Sequence, residues 1–375
     1  MRSYLFFHLF ILIGIPSFAQ KKVAKNEVLA AIKLANNYWQ STHKPEVWSF
    51  WDEAAYQTGN MEAFEVTSEP AYRDYAEKWA VYNQWKGAKS DHKSDWKYKY
   101  GEKDDYVLFG DWQICFQTFI DLYHLKPEAH KIARAKEVME YQMSTPANDY
   151  WWWADGLYMV MPVMTKLYKT TGNKQYLDKL YAYFEYANSI MFDQETGLYY
   201  RDAKYVYPKH KSANGKKDFW ARGDGWVFAG LAKVLKDLPV DDPHRELYLN
   251  RYLGLAKAIV KSQQPEGYWT RSMLDKDHAP GPETSGTAFF TYGLFWGINN
   301  GYLKEKTYLN AAQKGWRYLA DIALQKDGRV GYVQPIGEKA IPGQVVDANS
   351  TANFGVGAFL LAGSEVYRYL DKSKK

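Results

Sequence analysis

Two kinds of apolar pattern alternate along the chain. In the first kind, apolar residues recur at i, i+3 and i+4 spacing, which predicts helices with one apolar stripe. This spacing covers residues 129–143, 176–191, 246–262 and 307–324. The second kind is apolar and aromatic all round, which predicts helices buried on every side. No run alternates for long enough to build a sheet, so the sequence predicts an all-α fold.

Six segments of the second kind follow one another, and each begins at an aspartate, a glycine or another small residue. They begin near Asp52, Asp111, Asp155, Asp224, Gly286 and Gly355. Their average spacing is about 61 residues, which holds a helical hairpin and its connections. Six buried helices alternating with surface helices predict an inner and an outer ring. We therefore expect one (α/α)6 toroid of about twelve helices, a single domain over residues 20–375.

The first 19 residues have the pattern of an export signal. Arg2 precedes a short apolar run that Pro16 breaks, and residues 17–19 fit the small-x-small cleavage rule. We predict cleavage before Gln20 and a mature protein that is periplasmic or secreted. No later stretch reaches the ~18 apolar residues of a membrane span, so no membrane contact is expected after cleavage.

Composition narrows the possible chemistry. The chain has 375 residues and a net charge of +5, which is too small for this length to indicate a nucleic-acid partner. The single cysteine, Cys115, excludes an internal disulfide and a thiolate zinc cluster, and no histidines have metal-ligand spacing. We expect neither a metal nor a cofactor. The 15 Trp, 32 Tyr and 18 Phe suit carbohydrate binding, base stacking or a large core.

The beginnings of the inner helices carry the candidate chemistry. If these helices run parallel, Asp111, Asp155 and Asp224 converge on one cavity beside positive helix ends. An aspartate ahead of an apolar helix is also a common N-cap, and this simpler interpretation stays open for each of the three.

Aromatic neighbours favour a sugar pocket over simple caps. Flat indole faces stack on pyranose rings, carboxylates bind hydroxyls or move protons, and a guanidinium pairs with a carboxylate or sulfate. The side chains with these properties near the predicted cavity are Trp153, Trp220, Arg222, Asp224 and Trp226. His210, in the lysine-rich connection 199–217, is the histidine best placed for a role in the pocket.

Four segments resemble glycoside hydrolase family 105 and the related family 88. They are WWADGLYM, FWARGDGW, ETSGTAFF and GAFLLAGSEVYR, and the resemblance runs over residues 27–370. It implies the (α/α)6 barrel and an unsaturated uronyl hydrolase. Such an enzyme hydrates the C4–C5 double bond that a polysaccharide lyase leaves on a terminal uronic acid, and the next sugar is then expelled.

The resemblance also implies roles for individual residues. The family's general acid/base falls on Asp155, and its second pocket aspartate falls on Asp111, which would bind sugar hydroxyls and help to keep Asp155 protonated. Two nearby carboxylates repel, so one pKa should be raised. Trp153, Trp220 and Trp226 would form stacking walls, with Arg222 near the uronate.

The chain departs from the family pattern at one position. Some members carry a histidine just after a Leu-Tyr-Tyr stretch, where this chain has Arg201, and His210 lies further on. Arg201 and the nearby lysines could favour a sulfated neighbouring sugar, although a solvated surface would look the same. Two substrates therefore stay open: unsaturated galacturonyl-rhamnose from pectin, and unsaturated glucuronyl-rhamnose 3-sulfate from an algal polysaccharide such as ulvan.

Two other function classes suit the same toroid. A sugar epimerase would need a pair of cavity histidines, whereas the inner helices here begin with aspartate and tryptophan. A non-catalytic glycan-binding protein would share the aromatic walls, and only the loss of turnover on replacing Asp155 would distinguish it from an enzyme.

Overall fold

Twelve helices make up the part of the chain that the structure describes. The structure is a computed structural model and describes residues 23–96 and 107–372. The helices are α1 (Lys25–Thr42), α2 (Trp51–Thr67), α3 (Pro70–Tyr82), α4 (Gly110–Gln113 and Cys115–Leu125), α5 (His130–Ser144), α6 (Ala154–Met159 and Met161–Thr171), α7 (Gln175–Met191), α8 (Ala221–Asp237), α9 (Arg245–Lys261), α10 (Thr284–Asn299), α11 (Lys306–Arg317) and α12 (Asn353–Lys372). A short 3-10 turn, Lys93–Asp95, and a π-helical turn, Tyr318–Ala323, complete the helical elements. The predicted signal segment, residues 1–19, lies outside the described residues.

The even-numbered helices form a closed inner ring. Each of α2, α4, α6, α8, α10 and α12 packs against the next, and α12 packs against α2 to close the circle. The odd-numbered helices pack outside them, with α1 on α12, α3 on α2, and so on around the ring. The predicted all-α (α/α)6 toroid is confirmed, and the described residues form only isolated β-bridges in place of strands.

Burial follows the two sequence patterns. Inner helix α10 is buried on every side from Thr284 to Gly297, whereas outer helix α11 buries only Ala311, Ala312, Gly315 and Trp316. A helix that is apolar on every side must be enclosed by other helices. A helix with a single apolar stripe packs that stripe against the enclosed helix and exposes its other side to solvent. Within the described ranges, none of the helices has the length and apolarity that a membrane crossing requires.

Glycines bring the first and last inner helices into backbone contact. A Cβ atom on Gly59 of α2 would overlap the Gly357 carbonyl of α12, and one on Gly357 would overlap the Ala55 carbonyl. Residues with side chains cannot occupy this crossing without moving the helices apart. The ring therefore closes through two positions that have no side chain.

The inner helices begin at one end of the ring, where long connections cover them. The connections 192–220, 262–283 and 324–352 each accept a hydrogen bond from the first residue of an inner helix. The bonds are Ala154 N–H to Arg201 carbonyl (2.8 Å), Ala221 N–H to Arg271 carbonyl (2.9 Å) and Thr284 N–H to Tyr332 carbonyl (2.9 Å). They satisfy amides that a helix N-terminus leaves unpaired and fix each connection over the ring.

Candidate active site

A cavity of about 470 Å3 opens at the end where the inner helices begin. Its walls come from the first turns of α2, α4 and α6 and from two of the long connections. The lining residues are Trp51, Phe109, Asp111, Trp152, Trp153, Asp155, Met159, Arg201, Lys204, Ile336, Gly337 and Glu338. Four of the sequence-predicted site residues, Asp111, Trp153, Asp155 and Arg201, are therefore brought together here.

Asp155 lies in the first turn of α6, opposite Arg201. The N-cap of α6 is Trp153 and makes no side-chain cap hydrogen bond, so Asp155 is not a capping residue. The Ala154–Arg201 backbone hydrogen bond and a β-bridge between Trp153 and Asp202 place the two side chains side by side. Arg201 Nε lies 3.3 Å from Asp155 Oδ2 in an ion pair. The backbone thus positions a guanidinium directly on a buried carboxyl.

Burial and repulsion raise the proton affinity of the two cavity aspartates. Burial raises the pKa of Asp111 to about 8, with repulsion from Asp155 adding to the rise and Arg201 opposing it. Burial also raises the pKa of Asp155 above its ordinary value, against the attraction of Arg201 and Arg222. Since the two groups interact, the pair retains a proton at neutral pH. The arrangement can therefore act as a proton donor.

Glycines let Trp153 lie flat beside the aspartates. The Trp153 ring stacks on Phe109, with ring centres 4.4 Å apart and planes 8° from parallel. A Cβ atom on Gly110 would lie 2.9 Å from the Trp153 ring, and one on Gly156 would lie 3.2 Å from it. Gly110 precedes Asp111 and Gly156 follows Asp155, so each cavity carboxyl has a neighbour without a side chain that leaves space for the Trp153 ring. Trp153 is only 2% exposed, so it mainly supports the wall from behind, and its half-buried neighbour Trp152 presents more of its ring to the cavity.

Trp220 and Arg222 lie behind the cavity and hold part of its wall. Arg222 is 1% exposed, and its Nη1 and Nη2 atoms donate to the Gln334 carbonyl (2.7 Å) and the Pro335 carbonyl (2.9 Å). Trp220 Nε1 donates to Gln334 Oε1 at 2.8 Å. Neither side chain lines the cavity. Instead they fix residues 334–335, which lead directly into the wall residues Ile336, Gly337 and Glu338.

Asp224 and Trp226 are also enclosed behind the site. Asp224 Oδ1 accepts the Tyr199 N–H at 2.8 Å, and burial raises the pKa of this carboxyl well above its ordinary range. Trp226 is fully buried and meets the cavity residue Trp51 edge-on, with ring centres 6.4 Å apart. Asp224 therefore fastens the connection that carries Arg201, and Trp226 supports a wall residue.

His210 takes part in the connection rather than in the cavity wall. Its Nε2 atom lies 2.9 Å from Asp218 Oδ2, and its ring packs edge-on against Tyr205, with centres 5.1 Å apart. Tyr205 in turn donates its hydroxyl to Glu338 Oε1 at 2.5 Å. His210 is thus two contacts away from the lining of the cavity.

Glu338 is a wall residue that the sequence patterns did not reveal. It receives the Tyr205 hydroxyl, and its Oε2 atom lies 3.4 Å from Arg201 Nη1 and 3.5 Å from Lys204 Nζ. Arg201 also donates to Asp202 Oδ2 at 2.6 Å, so its guanidinium is shared among Asp155, Asp202 and Glu338. The connection that carries Glu338 has no regular spacing of apolar residues. Its position just before an inner helix was the one feature of the sequence that could have indicated a place near the cavity. Trp51, Phe109 and Met159 were missed because helix beginnings contain many aromatic and apolar residues.

Comparison with known proteins agrees with this geometry. A ring of six helix pairs, with two acidic groups and aromatic walls at one end, is the arrangement expected of an (α/α)6 glycoside hydrolase. Residues 21–370 match the family model described as Glycosyl Hydrolase Family 88, and the chain belongs to that family. The resemblance to families 105 and 88 is thereby confirmed, and with it the assignment as a glycoside hydrolase.

Individual relatives cover nearly the whole chain. An "Unsaturated 3S-rhamnoglycuronyl hydrolase" of Formosa agariphila is 33% identical over 94% of this chain and 93% of its own. A solved structure described as a glycosyl hydrolase family 88 protein from Bacteroides vulgatus is 61% identical, with a TM-score of 0.89 over 93% of this chain and 100% of its own. Another solved structure, described as a polysaccharide lyase, is 70% identical, with a TM-score of 0.89 over 92% of this chain and 98% of its own.

Proposed function

We propose that the protein removes a 4,5-unsaturated uronic acid from the non-reducing end of lyase-generated oligosaccharides. The observation that carries this proposal is the pair Asp111 and Asp155, which keeps a proton at neutral pH beside a flat aromatic wall. An enol ether needs a proton on carbon before water can add. A carboxyl that stays protonated near pH 7 is suited to supply it.

The reaction balances without an outside reagent. Asp155 gives its proton to C4 of the unsaturated sugar, and water adds to C5, losing a proton back to the carboxylate. The product at C5 is a hemiketal, and breaking its bond to the ring oxygen leaves a ketone at C5 and a hemiacetal at C1. The hemiacetal then collapses to an aldehyde and releases the neighbouring sugar as an alcohol. Positive charge develops near the ring as C4 is protonated, and the negative Asp155 that results lies 3.3 Å from Arg201. Asp111 would hold sugar hydroxyls and keep the proton affinity of Asp155 high.

The proposal also specifies which sugar follows the unsaturated uronic acid. We take unsaturated glucuronyl-rhamnose 3-sulfate as the preferred substrate, because the rhamnoglycuronyl hydrolase of Formosa agariphila is similar over nearly the whole chain. Lys204, on the cavity wall with its side chain 63% exposed, offers a positive charge for a sulfate. Unsaturated galacturonyl-rhamnose is the alternative, since a rhamnogalacturonyl hydrolase of Bacillus subtilis is 26% identical over 48% of this chain.

A lyase is the second candidate, because one similar solved structure bears that description. A lyase forms the C4–C5 double bond by taking a proton from C5, so it needs an unprotonated base. The raised pKa values of Asp111 and Asp155 favour giving a proton over taking one. The physical argument therefore supports hydration of the double bond.

One experiment separates these possibilities. The protein is mixed with unsaturated ulvan, rhamnogalacturonan and glycosaminoglycan disaccharides, and with intact polysaccharides, while the ultraviolet absorbance of the conjugated double bond is followed. The proposal expects absorbance to fall with the ulvan disaccharide. A fall only with another disaccharide would reassign the neighbouring sugar, a rise with a polysaccharide would show a lyase, and no change with any would overturn the activity.

We also propose that the protein is exported. The support is the basic and apolar pattern of residues 1–19 with a small-x-small triplet at its end. Lyase products form where polysaccharides are broken down, so an exported enzyme would meet its substrate there.

A further inference from the structure

A tryptophan stands exposed just outside the cavity. The Trp48 side chain is 54% exposed, although it lies only three residues before the cavity residue Trp51. A large aromatic face left in water forgoes the free energy that its burial would provide. Among the described residues, it is the tryptophan with the greatest exposure.

The backbone beneath Trp48 is held rigidly. Ser49 donates its hydroxyl to the carbonyls of Lys86 (2.8 Å) and Gly87 (2.7 Å), and its N–H donates to Asn83 Oδ1 at 3.0 Å. The Asn83 side chain also donates to the Val47 carbonyl at 2.8 Å. Residues on both sides of Trp48 are therefore tied to the segment that follows α3. Its exposed face does not result from a loose loop.

Aromatic contacts connect Trp48 with the cavity. The Trp48 and Trp112 ring centres are 6.0 Å apart, and Phe50 and Trp112 are 4.6 Å apart. Trp112 directly follows the cavity aspartate Asp111. The half-buried rings of Phe50 and Trp112 thus form a continuous apolar surface between the exposed indole and the site.

A positive charge accompanies the exposed ring. Lys89 Nζ lies 4.2 Å from the centre of the Trp48 ring, and the lysine is itself exposed. The ammonium lies over the ring, and because Lys89 is exposed it can turn off the ring as a sugar covers that face. An apolar face with a mobile cation beside it matches a sugar that carries a carboxylate. Neutral sugars would use the face but not the charge.

We propose that Trp48 and Lys89 form a distal subsite for the third sugar of the substrate. This inference rests on the proposed function, because it takes the first two sugars to lie in the cavity. A lyase acting on a repeating uronate-containing polysaccharide leaves products in which the third sugar is again a uronic acid. Its face would stack on Trp48 and its carboxylate would meet Lys89. The enzyme would then favour a tetrasaccharide over a disaccharide.

The test compares two substrate lengths in matched variants. The probes are the unsaturated ulvan disaccharide and tetrasaccharide, with wild type, Trp48→Ala, Trp48→Tyr and Lys89→Gln. We expect Trp48→Ala to lose about five-fold in kcat/KM on the tetrasaccharide, a loss typical of one stacking contact, and to keep its rate on the disaccharide. Trp48→Tyr retains a flat ring and should keep most of the advantage, whereas Lys89→Gln should lose part of it.

Three outcomes would overturn the subsite. The first is an equal kcat/KM for the disaccharide and the tetrasaccharide in wild type. The second is an equal loss of kcat/KM on both lengths in Trp48→Ala. The third is that Trp48→Tyr loses all of the preference for the tetrasaccharide. Failure of the proposed function would look different, because no unsaturated substrate would then react. Binding of a saturated ulvan tetrasaccharide, followed by tryptophan fluorescence in wild type and Trp48→Ala, still tests the subsite in that case. Identical binding by both proteins, or none, would reject it.

Discussion

Burial and neighbouring charges shift the pKa of Asp155 in opposite directions. Burial favours the protonated carboxyl, while Arg201 and Arg222 favour the carboxylate. An acid that must give up its proton and take it back during one turnover needs both influences. Asp202 and Glu338 also pair with the Arg201 guanidinium and so limit how far it stabilises the negative Asp155.

Replacing Asp155 by asparagine tests its role as the acid. Asparagine has nearly the same shape but no proton to give, so we expect kcat to fall by at least about 10³-fold. Substrate binding should change little, since the walls stay in place. Turnover is measured by the absorbance assay and binding by calorimetry. Asp178→Asn, an exposed aspartate of α7, is the control. Unchanged turnover in Asp155→Asn would remove this residue from the mechanism.

The pH dependence should report on the coupling of the two aspartates. Activity needs a protonated acid, so the wild-type rate should fall as the pH rises through about 8, where the pair loses its last proton. The charge of Asp155 raises the pKa of Asp111, and because repulsion between two carboxylates is mutual, Asp111→Asn removes an influence that opposes ionisation of Asp155. We therefore expect the alkaline fall of kcat to move to lower pH by about one unit, alongside any loss of rate. A fall at the same pH in both proteins would show that Asp111 does not influence the acid.

At the scale of elements, the sequence predicted the positions of the helices but not which side chains point into the cavity. Two apolar patterns predicted which helices lie inside and which outside, and the structure confirms both rings. Trp220 and Trp226 lie near the beginning of an inner helix, as the sequence indicated, but both are buried behind the cavity. Successive helical residues point about 100° apart, so nearness along the chain does not determine which side chain reaches the cavity.

Backbone contact between α2 and α12 should make Gly59 intolerant of any side chain. Gly59→Ala places a methyl group on the Gly357 carbonyl and forces the two helices apart, so we expect a loss of about 2 kcal/mol in the free energy of unfolding. Gly254→Ala is the matched control, because a Cβ atom on this exposed helical glycine meets nothing within 4 Å. It should be neutral or stabilising by about 0.5–1 kcal/mol. Urea unfolding of both variants measures the difference. Similar stability for the two would mean that the crossing adjusts easily.

For the whole molecule, the connections limited what the sequence could predict. Asp111, Trp153 and Asp155 meet because two inner helices, α4 and α6, begin at the same end of the ring, which a repeat pattern can reveal. Glu338 and Lys204 reach the same cavity from connections without a period. Their positions depend on individual hydrogen bonds, such as Arg222 to the Gln334 carbonyl, between residues far apart in the chain.

Export of the whole chain has a direct test. When the full-length chain is produced in a bacterium with a periplasm, we expect the periplasmic protein to begin at Gln20 by intact mass. The apolar run before Pro16 directs the chain to the export machinery, and the triplet at 17–19 allows cleavage. A variant with two aspartates placed in that run serves as the control and should stay uncleaved in the cytoplasm. Cleavage of neither protein would contradict the proposal.

The contact between α2 and α12 also has a consequence for how the chain folds. Gly59 and Gly357 are about 300 residues apart, so the ring cannot close until the last helix has been made. Until then, the apolar flank of α2 that faces α12 has no partner within the chain. Contacts of such large sequence separation are slow to form, because much of the chain's freedom is lost before they provide stability. Folding of this protein should therefore end, rather than begin, with the joining of its two terminal regions.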